Sequence, residues 1–154
     1  MLSNSFIKLP VLNFPEKYQF RIKKTEKTTF IFCAWRKKWL VLTPEEWVRQ
    51  HVLQFLVRSL NYRPESIGTE IPVKINGLPQ RADCIVYQKA QPFILCECKK
   101  PEVKITQKTM DQILRYNQEI RAPWIYLTNG IQHIVAQWND GEIQFQPFLP
   151  ENKI

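Results

Sequence analysis

The spacing of apolar residues along this chain changes several times, and each change marks a predicted element. Around Phe20–Lys24, Thr28–Trp35 and Trp39–Leu42, apolar and polar residues alternate, as in strands with two unlike faces. From Val48 through Val52, Phe55, Leu56 and Leu60 the period lengthens to about 3.6 residues, which predicts an amphipathic helix reaching Asn61. Its start is well marked. Thr43 suits the N-cap, Pro44 the first helical position, and Glu45-Glu46 the positive end of the helix dipole. Glu70–Ile75 reads as a strand turning at Asn76-Gly77. The β-branched and aromatic runs Arg81–Tyr87 and Pro92–Lys99 read as a hairpin centred near Ala90. A second amphipathic helix is expected over Ile105–Ile120, with Gln112 and Tyr116 as polar members of its apolar stripe. Trp124–Thr128 reads as a strand, Asn129-Gly130 as a two-residue hairpin turn, and Ile131–Trp138 and Glu142–Phe148 as further strands. The order is strands, helix, three strands, helix, strands.

Length and composition narrow this picture. A chain of 154 residues builds one core, and 44% hydrophobic with 12% aromatic residues excludes a disordered chain. Residues 1–20, with Pro10 and Pro15, read as an extended arm on the domain surface. No apolar run approaches the roughly 20 residues that span a bilayer. The first residues, Met1–Lys8, lack the features of a signal peptide, so a cytoplasmic protein without a membrane partner is expected.

The net charge of +8 favours a polyanionic partner, nucleic acid ahead of an anionic membrane. Positive charge is densest around Lys23, Lys24, Lys27, Arg36, Lys37 and Lys38, interleaved with Phe30, Phe32, Trp35 and Trp39. That region is expected to form strands with a cationic solvated face. Cys33, Cys84, Cys96 and Cys98 form no CxxC pair and read as reduced core residues, with a zinc site on the hairpin as the minor alternative.

Several chemistries are absent. The four glycines are too scattered for a phosphate-cradling loop, so these residues form no ATP-driven motor. His51 and His133 are the only histidines, which excludes HExxH and two-histidine zinc fingers, and no GxSxG elbow occurs.

What remains is a set of carboxylates and a lysine inside apolar strands. A simple hairpin register sets Asp83 opposite Glu97, with Glu97 and Lys99 on one face and Cys96 and Cys98 on the other. Opposed carboxylates repel unless a positive charge lies between them. Lys99 or, better, a divalent ion meets that need. Magnesium, with manganese as substitute, prefers oxygen ligands. Asp83, Glu97 and the Cys98 backbone carbonyl are candidate ligands, with Glu45 arriving from the first helix. Lys99 would deprotonate or orient a water, or offset charge on the phosphate. On a helical wheel Glu45 and Arg49 fall on the apolar side and Glu46 toward its edge. Glu45 is therefore either a ligand or simply a capping residue paired with Arg49, and Glu46 is the second choice of helix ligand.

The ordered series Leu42–Gln50, Arg81-Ala82-Asp83, Glu97-Cys98-Lys99, Gln112-x-x-x-Tyr116 and Thr128-Asn129-Gly130 resembles the PD-(D/E)XK nuclease superfamily. Within it, the chain is most similar to the N-terminal nuclease domain of type I restriction enzyme R subunits, over about residues 40–138. Ala82 stands where the superfamily's naming proline would be. The resemblance implies an α/β, restriction-endonuclease-like mixed β-sheet flanked by helices. It implies magnesium held by the Asp83 and Glu97 equivalents, with Gln112 and Tyr116 beside the metal or the DNA. Arg49 and Arg81 are accessory candidates on the same motifs. The expected layout is a basic extension over residues 1–40, with strands packed on the core, and a nuclease-like domain over 41–150. The expected function is a magnesium-dependent deoxyribonuclease acting on DNA, with a partner protein supplying specificity or motor function. The alternative is a catalytically silent DNA-binding or assembly module of a restriction system on the same fold.

Overall fold

The structure is a computed structural model that describes residues 9–153. The first eight residues of the expected arm lie outside the described residues.

Three short strands come first: β1 (Ile22–Lys24), β2 (Thr29–Cys33) and β3 (Lys38–Val41), which form an antiparallel sheet in that order. Helix α1 (Pro44–Gln54) begins where Thr43 Oγ1 accepts the Glu46 N–H at 3.0 Å, so the expected cap is present. The expected α-helix to Asn61 is cut short. Phe55–Ser59 is a single π turn, closed by the Leu60 N–H to Phe55 carbonyl bond at 3.1 Å. Regular α periodicity cannot signal such a turn, because the wider turn leaves Leu56 and Leu60 buried as before.

A six-stranded sheet follows in sequential order: β4 (Ile67–Ile75), β5 (Leu78–Gln88), β6 (Gln91–Cys98), β7 (Trp124–Thr128), β8 (His133–Asn139) and β9 (Glu142–Gln146). Only β6 and β7 run parallel, and helix α2 (Gln107–Ile120) makes the crossover between them. Asn76-Gly77 is the expected tight turn, with φ of 51° and 76°, a conformation that suits these two residues. Asn129-Gly130 is not a two-residue turn. Four residues separate β7 from β8, and Asn129 Oδ1 accepts the Ile131 and Gln132 N–H groups at 2.9 and 2.7 Å. The asparagine side chain thus replaces the second backbone arm of the hairpin turn.

Side chains alternate across the large sheet and build a core on each side. Cys84, Val86, Ile94, Cys96 and Cys98 pack with α1 residues Val48, Val52 and Leu53, and with Cys33 of the small sheet. Ile85, Leu95, Ile125 and Leu127 pack with Met110 and Ile113 of α2. All four cysteines are buried free thiols. The arm lies against this body: Trp47 Nε1 donates to the Pro10 carbonyl at 3.1 Å, and Phe14 packs on His51, Phe55 and His133. Among the described residues no helix is long and apolar enough to cross a membrane. A mixed sheet with a helix on each face is a restriction-endonuclease-like fold, as the motif series implied.

Candidate functional site

The β5–β6 register pairs Cys84 with Cys96, Ile85 with Leu95 and Val86 with Ile94, and a bulge after Val86 absorbs one residue near the turn. Carried one step further, this register sets Asp83 opposite Glu97, but the paired ladder stops at Cys84 and Cys96. There the strands part. Asp83 Oδ2 accepts the Cys98 N–H at 2.8 Å, so a carboxylate takes the place of a ladder carbonyl. Glu97 and Lys99 share the expected face: Lys99 Nζ lies 3.8 Å from Glu97 Oε1 and 3.3 Å from Gln112 Oε1.

Arg49 ties α1 to this hairpin. Its Nη2 and Nε reach Asp83 Oδ1 at 2.7 and 3.1 Å, and its Nη1 reaches Glu46 Oε1 at 2.8 Å. Glu45 Oε1 and Glu70 Oε1 lie 3.7 and 3.6 Å from Nη2. Four carboxylates therefore share one guanidinium. Burial works against the arginine's charge, but Asp83 and Glu46 outweigh it and hold the guanidinium firmly protonated.

The two helix glutamates exchange the places the wheel assigned them. Glu46 is buried and also accepts from Gln50 Nε2 at 3.2 Å, whereas the Glu45 side chain is about half exposed (47%). The wheel misassigned them because α1 buries more than its apolar stripe: Glu46 faces the Arg49–Asp83 pair, and the arm covers His51. The buried arc of the helix therefore extends beyond the apolar stripe to Glu46, Gln50 and His51. Glu45 still faces the site. Its pKa is raised by partial burial and then by the Asp83 charge, while Arg49 and Lys99 oppose the rise.

Glu97 carries the largest electrostatic burden. It is buried, its Oε2 has no hydrogen-bond partner, and its pKa is pushed up to about 9, first by burial and then by Asp83. Burial and the neighbouring Asp83 charge thus favour its protonated form, and a nearby cation favours the carboxylate.

Gln112 and Tyr116 edge the site from α2, and Tyr116 OH reaches Gln80 Oε1 at 3.4 Å. They line a cleft of about 330 Å³ with Gln80, Lys108 and Arg115. Arg81 is exposed on β5, with no ion-pair partner among the described residues. A cavity of about 660 Å³ between Phe14, Phe55, Tyr126 and His133 is lined by none of Asp83, Glu97, Glu45 and Glu46.

Glu70 is the residue that sequence reasoning missed. It sits on β4 between Thr69 and Ile71, which pair with Cys84 and Ala82, and so stands across from Asp83. Counting back from the Asn76-Gly77 turn would have found it. Its φ of 52° is rare for a non-glycine residue and marks local backbone strain beside the cluster.

The donor set is hard oxygen, suited to magnesium rather than zinc. The orphaned Glu97 Oε2 and the crowding of carboxylates suit a divalent cation. The fit is in charge and chemistry rather than in a finished cage. Among the described residues no three acidic, cysteine or histidine side chains converge as metal donors, and Arg49 holds Asp83 and Glu46. Among the described residues Cys84, Cys96 and Cys98 do not converge as a zinc site either.

No curated protein matches this chain. The family described as "Type I restriction enzyme R protein N terminus (HSDR_N)" matches residues 44–150, well over half of the sequence and the whole stretch from α1 to the end of β9. The chain therefore belongs to the family of the type I restriction enzyme R protein N terminus.

Proposed function

We propose that this chain is a magnesium-dependent DNA phosphodiesterase domain of a restriction system, working with a partner protein that supplies specificity or motor function in the cytoplasm. The observation that carries this reading is Glu97: a buried acid with an unpartnered oxygen, set between Asp83 and Lys99. Asp83, Glu97 and Glu45, with the Cys98 carbonyl, would hold Mg2+ or Mn2+. The bound ion supplies a Lewis acid that makes the phosphodiester more electrophilic and a water more acidic. Lys99, held by Gln112, orients that water or offsets the charge that builds on the phosphate. Arg49 holds the carboxylates together, and a bound ion would compete with it for Asp83 Oδ1. Tyr116, Arg81 and the basic N-terminal strands contact the DNA backbone, where charge contributes affinity with little sequence information.

A second reading has its own observation. Arg49 already neutralises Asp83 and Glu46, which suits a silent DNA-binding or assembly module that never loads a metal. Cleavage of supercoiled plasmid and of single-stranded DNA with Mg2+ or Mn2+ separates the two. Wild type should nick, and Asp83→Ala and Lys99→Ala should not. Equal activity in all three proteins overturns the nuclease assignment. DNA binding that survives Glu97→Ala, with no nicking under either metal, supports the silent module.

A further inference from the structure

The small sheet β1–β2–β3 has one face for the core and one for something else. Ile31 and Cys33 point inward and are fully buried. The register pairs Lys23 with Phe30, Phe30 with Val41 and Phe32 with Trp39, while the Phe32 N–H bonds to the Arg21 carbonyl. Arg21, Lys23, Phe30, Phe32, Trp39 and Val41 therefore share the outer face. Three aromatic rings on a solvated face are unusual, because the ordinary choice there is polar. The rings are only partly covered, and Val41 is 53% exposed.

The cations on this face lie over the rings. The Arg21 guanidinium is 4.7 Å from the Phe32 centroid and 5.4 Å from Trp39; Lys23 Nζ is 4.5 Å from Trp39 and 5.5 Å from Phe30. Phe32 and Trp39 meet edge to face at 5.4 Å. Lys27, Lys37 and Lys38 are exposed on the strand ends and turns. All of these residues precede the family-matched segment 44–150.

We propose that this outer face is a binding platform for single-stranded nucleic acid. Flat rings accept unpaired bases by stacking, and cations on long stems swing from the rings to the phosphates. A duplex hides its bases from a flat sheet face and offers only its backbone, so it gains nothing from the rings. Trp39 is six residues before Glu45, so chain reach keeps the platform within about 20 Å of the carboxylate cluster. The platform stands on its own residues and does not require that the cluster cleave.

The test is fluorescence anisotropy in EDTA, where no cleavage occurs, with labelled oligothymidine of about 15 nucleotides and a duplex of equal length. Wild type should prefer the single strand. Trp39→Ala should weaken single-strand binding about tenfold, while Trp39→Phe retains most of it and duplex binding hardly changes. Arg21→Ser with Lys23→Ser, both at exposed positions that leave the fold intact, should flatten the salt dependence by about one to two units of slope. Unchanged single-strand affinity in Trp39→Ala and in the double serine variant overturns the proposal. So does tighter binding to the duplex, or binding to phosphatidylglycerol vesicles without binding to the oligonucleotide.

Discussion

Arg49 and Asp83 meet through two nitrogens on one oxygen, at 2.7 and 3.1 Å, with both side chains largely removed from water. The pair joins α1 to the β5–β6 hairpin, which carries Asp83 and Glu97. Arg49→Met leaves Asp83 and Glu46 buried without their cation, and should cost about 3–5 kcal/mol. Urea unfolding in EDTA measures this. Added Mn2+ should restore part of the loss in Arg49→Met, by replacing the missing positive charge. An unchanged unfolding midpoint would show that the pair does not hold the cluster.

Glu97 ties metal binding to pH. Its folded pKa, about 9, lies above its ordinary value of 4.5. A group raised on folding contributes its stability fully below the lower value and loses it as pH climbs toward the upper one. In EDTA, wild type should therefore lose more stability than Glu97→Gln between pH 5 and 9. Mg2+ should raise the melting temperature of wild type and not of the variant. Parallel pH profiles for the two proteins would contradict this account.

On plasmid DNA, Glu97→Gln and Lys99→Ala should each lower nicking at least about 100-fold, the scale of a lost acid–base or charge-stabilising group. Gln112→Ala should lower it less, because it only releases Lys99 from a 3.3 Å contact. A larger loss in Gln112→Ala than in Lys99→Ala would assign the direct role to the glutamine.

His51 and His133 act in the opposite direction. Burial lowers both below the ordinary 6.5, against the opposing bonds to the Trp47 and Asn13 carbonyls. Their contribution is present above 6.5 and lost as pH falls through the depressed values. Stability should drop as pH falls below 6.5, and His133→Asn should flatten part of that drop. An NMR titration of both imidazoles checks the sign, which fails if either titrates above 6.5.

Gly130 should resist substitution for two separate reasons. Its φ is +87°, and an added Cβ would lie 2.8 Å from Leu12 Cδ2 and 3.1 Å from Val48 Cγ2. Gly130→Ala should destabilise by about 1–3 kcal/mol. Adding Leu12→Ala should recover the contact part and leave the backbone part, which a double-mutant cycle reads directly. Full recovery would show that backbone strain contributes nothing.

Much of the fold was legible because local signals agreed. Thr43-Pro44 started α1, Asn76-Gly77 turned β4 into β5, and alternation separated Cys96 and Cys98 from Glu97 and Lys99. The hairpin register gave the Asp83–Glu97 relationship, and period put Gln112 and Tyr116 beside it. What escaped depended on neighbours distant in sequence. Glu46 is buried where Arg49 bonds it, and Arg49 is itself held by Asp83, 34 residues later in the chain. The Asn129 turn needs a side chain to close it, and the π turn at Phe55 leaves the apolar spacing unchanged. Glu70 was within reach of simple counting and was missed for want of it.

The bulge between Val86 and Tyr87 sets a rule for where the β5–β6 hairpin tolerates insertion. A strand encodes its faces by odd and even position, so a single inserted residue swaps acid for thiol at every point beyond it. Because the surplus residue is absorbed beside the Lys89-Ala90 turn, length change at that tip leaves the parity of Asp83 and Glu97 untouched. One residue added between Ile94 and Glu97 has no such outlet, and would turn the carboxylate into the core and a cysteine out toward the Arg49 cluster.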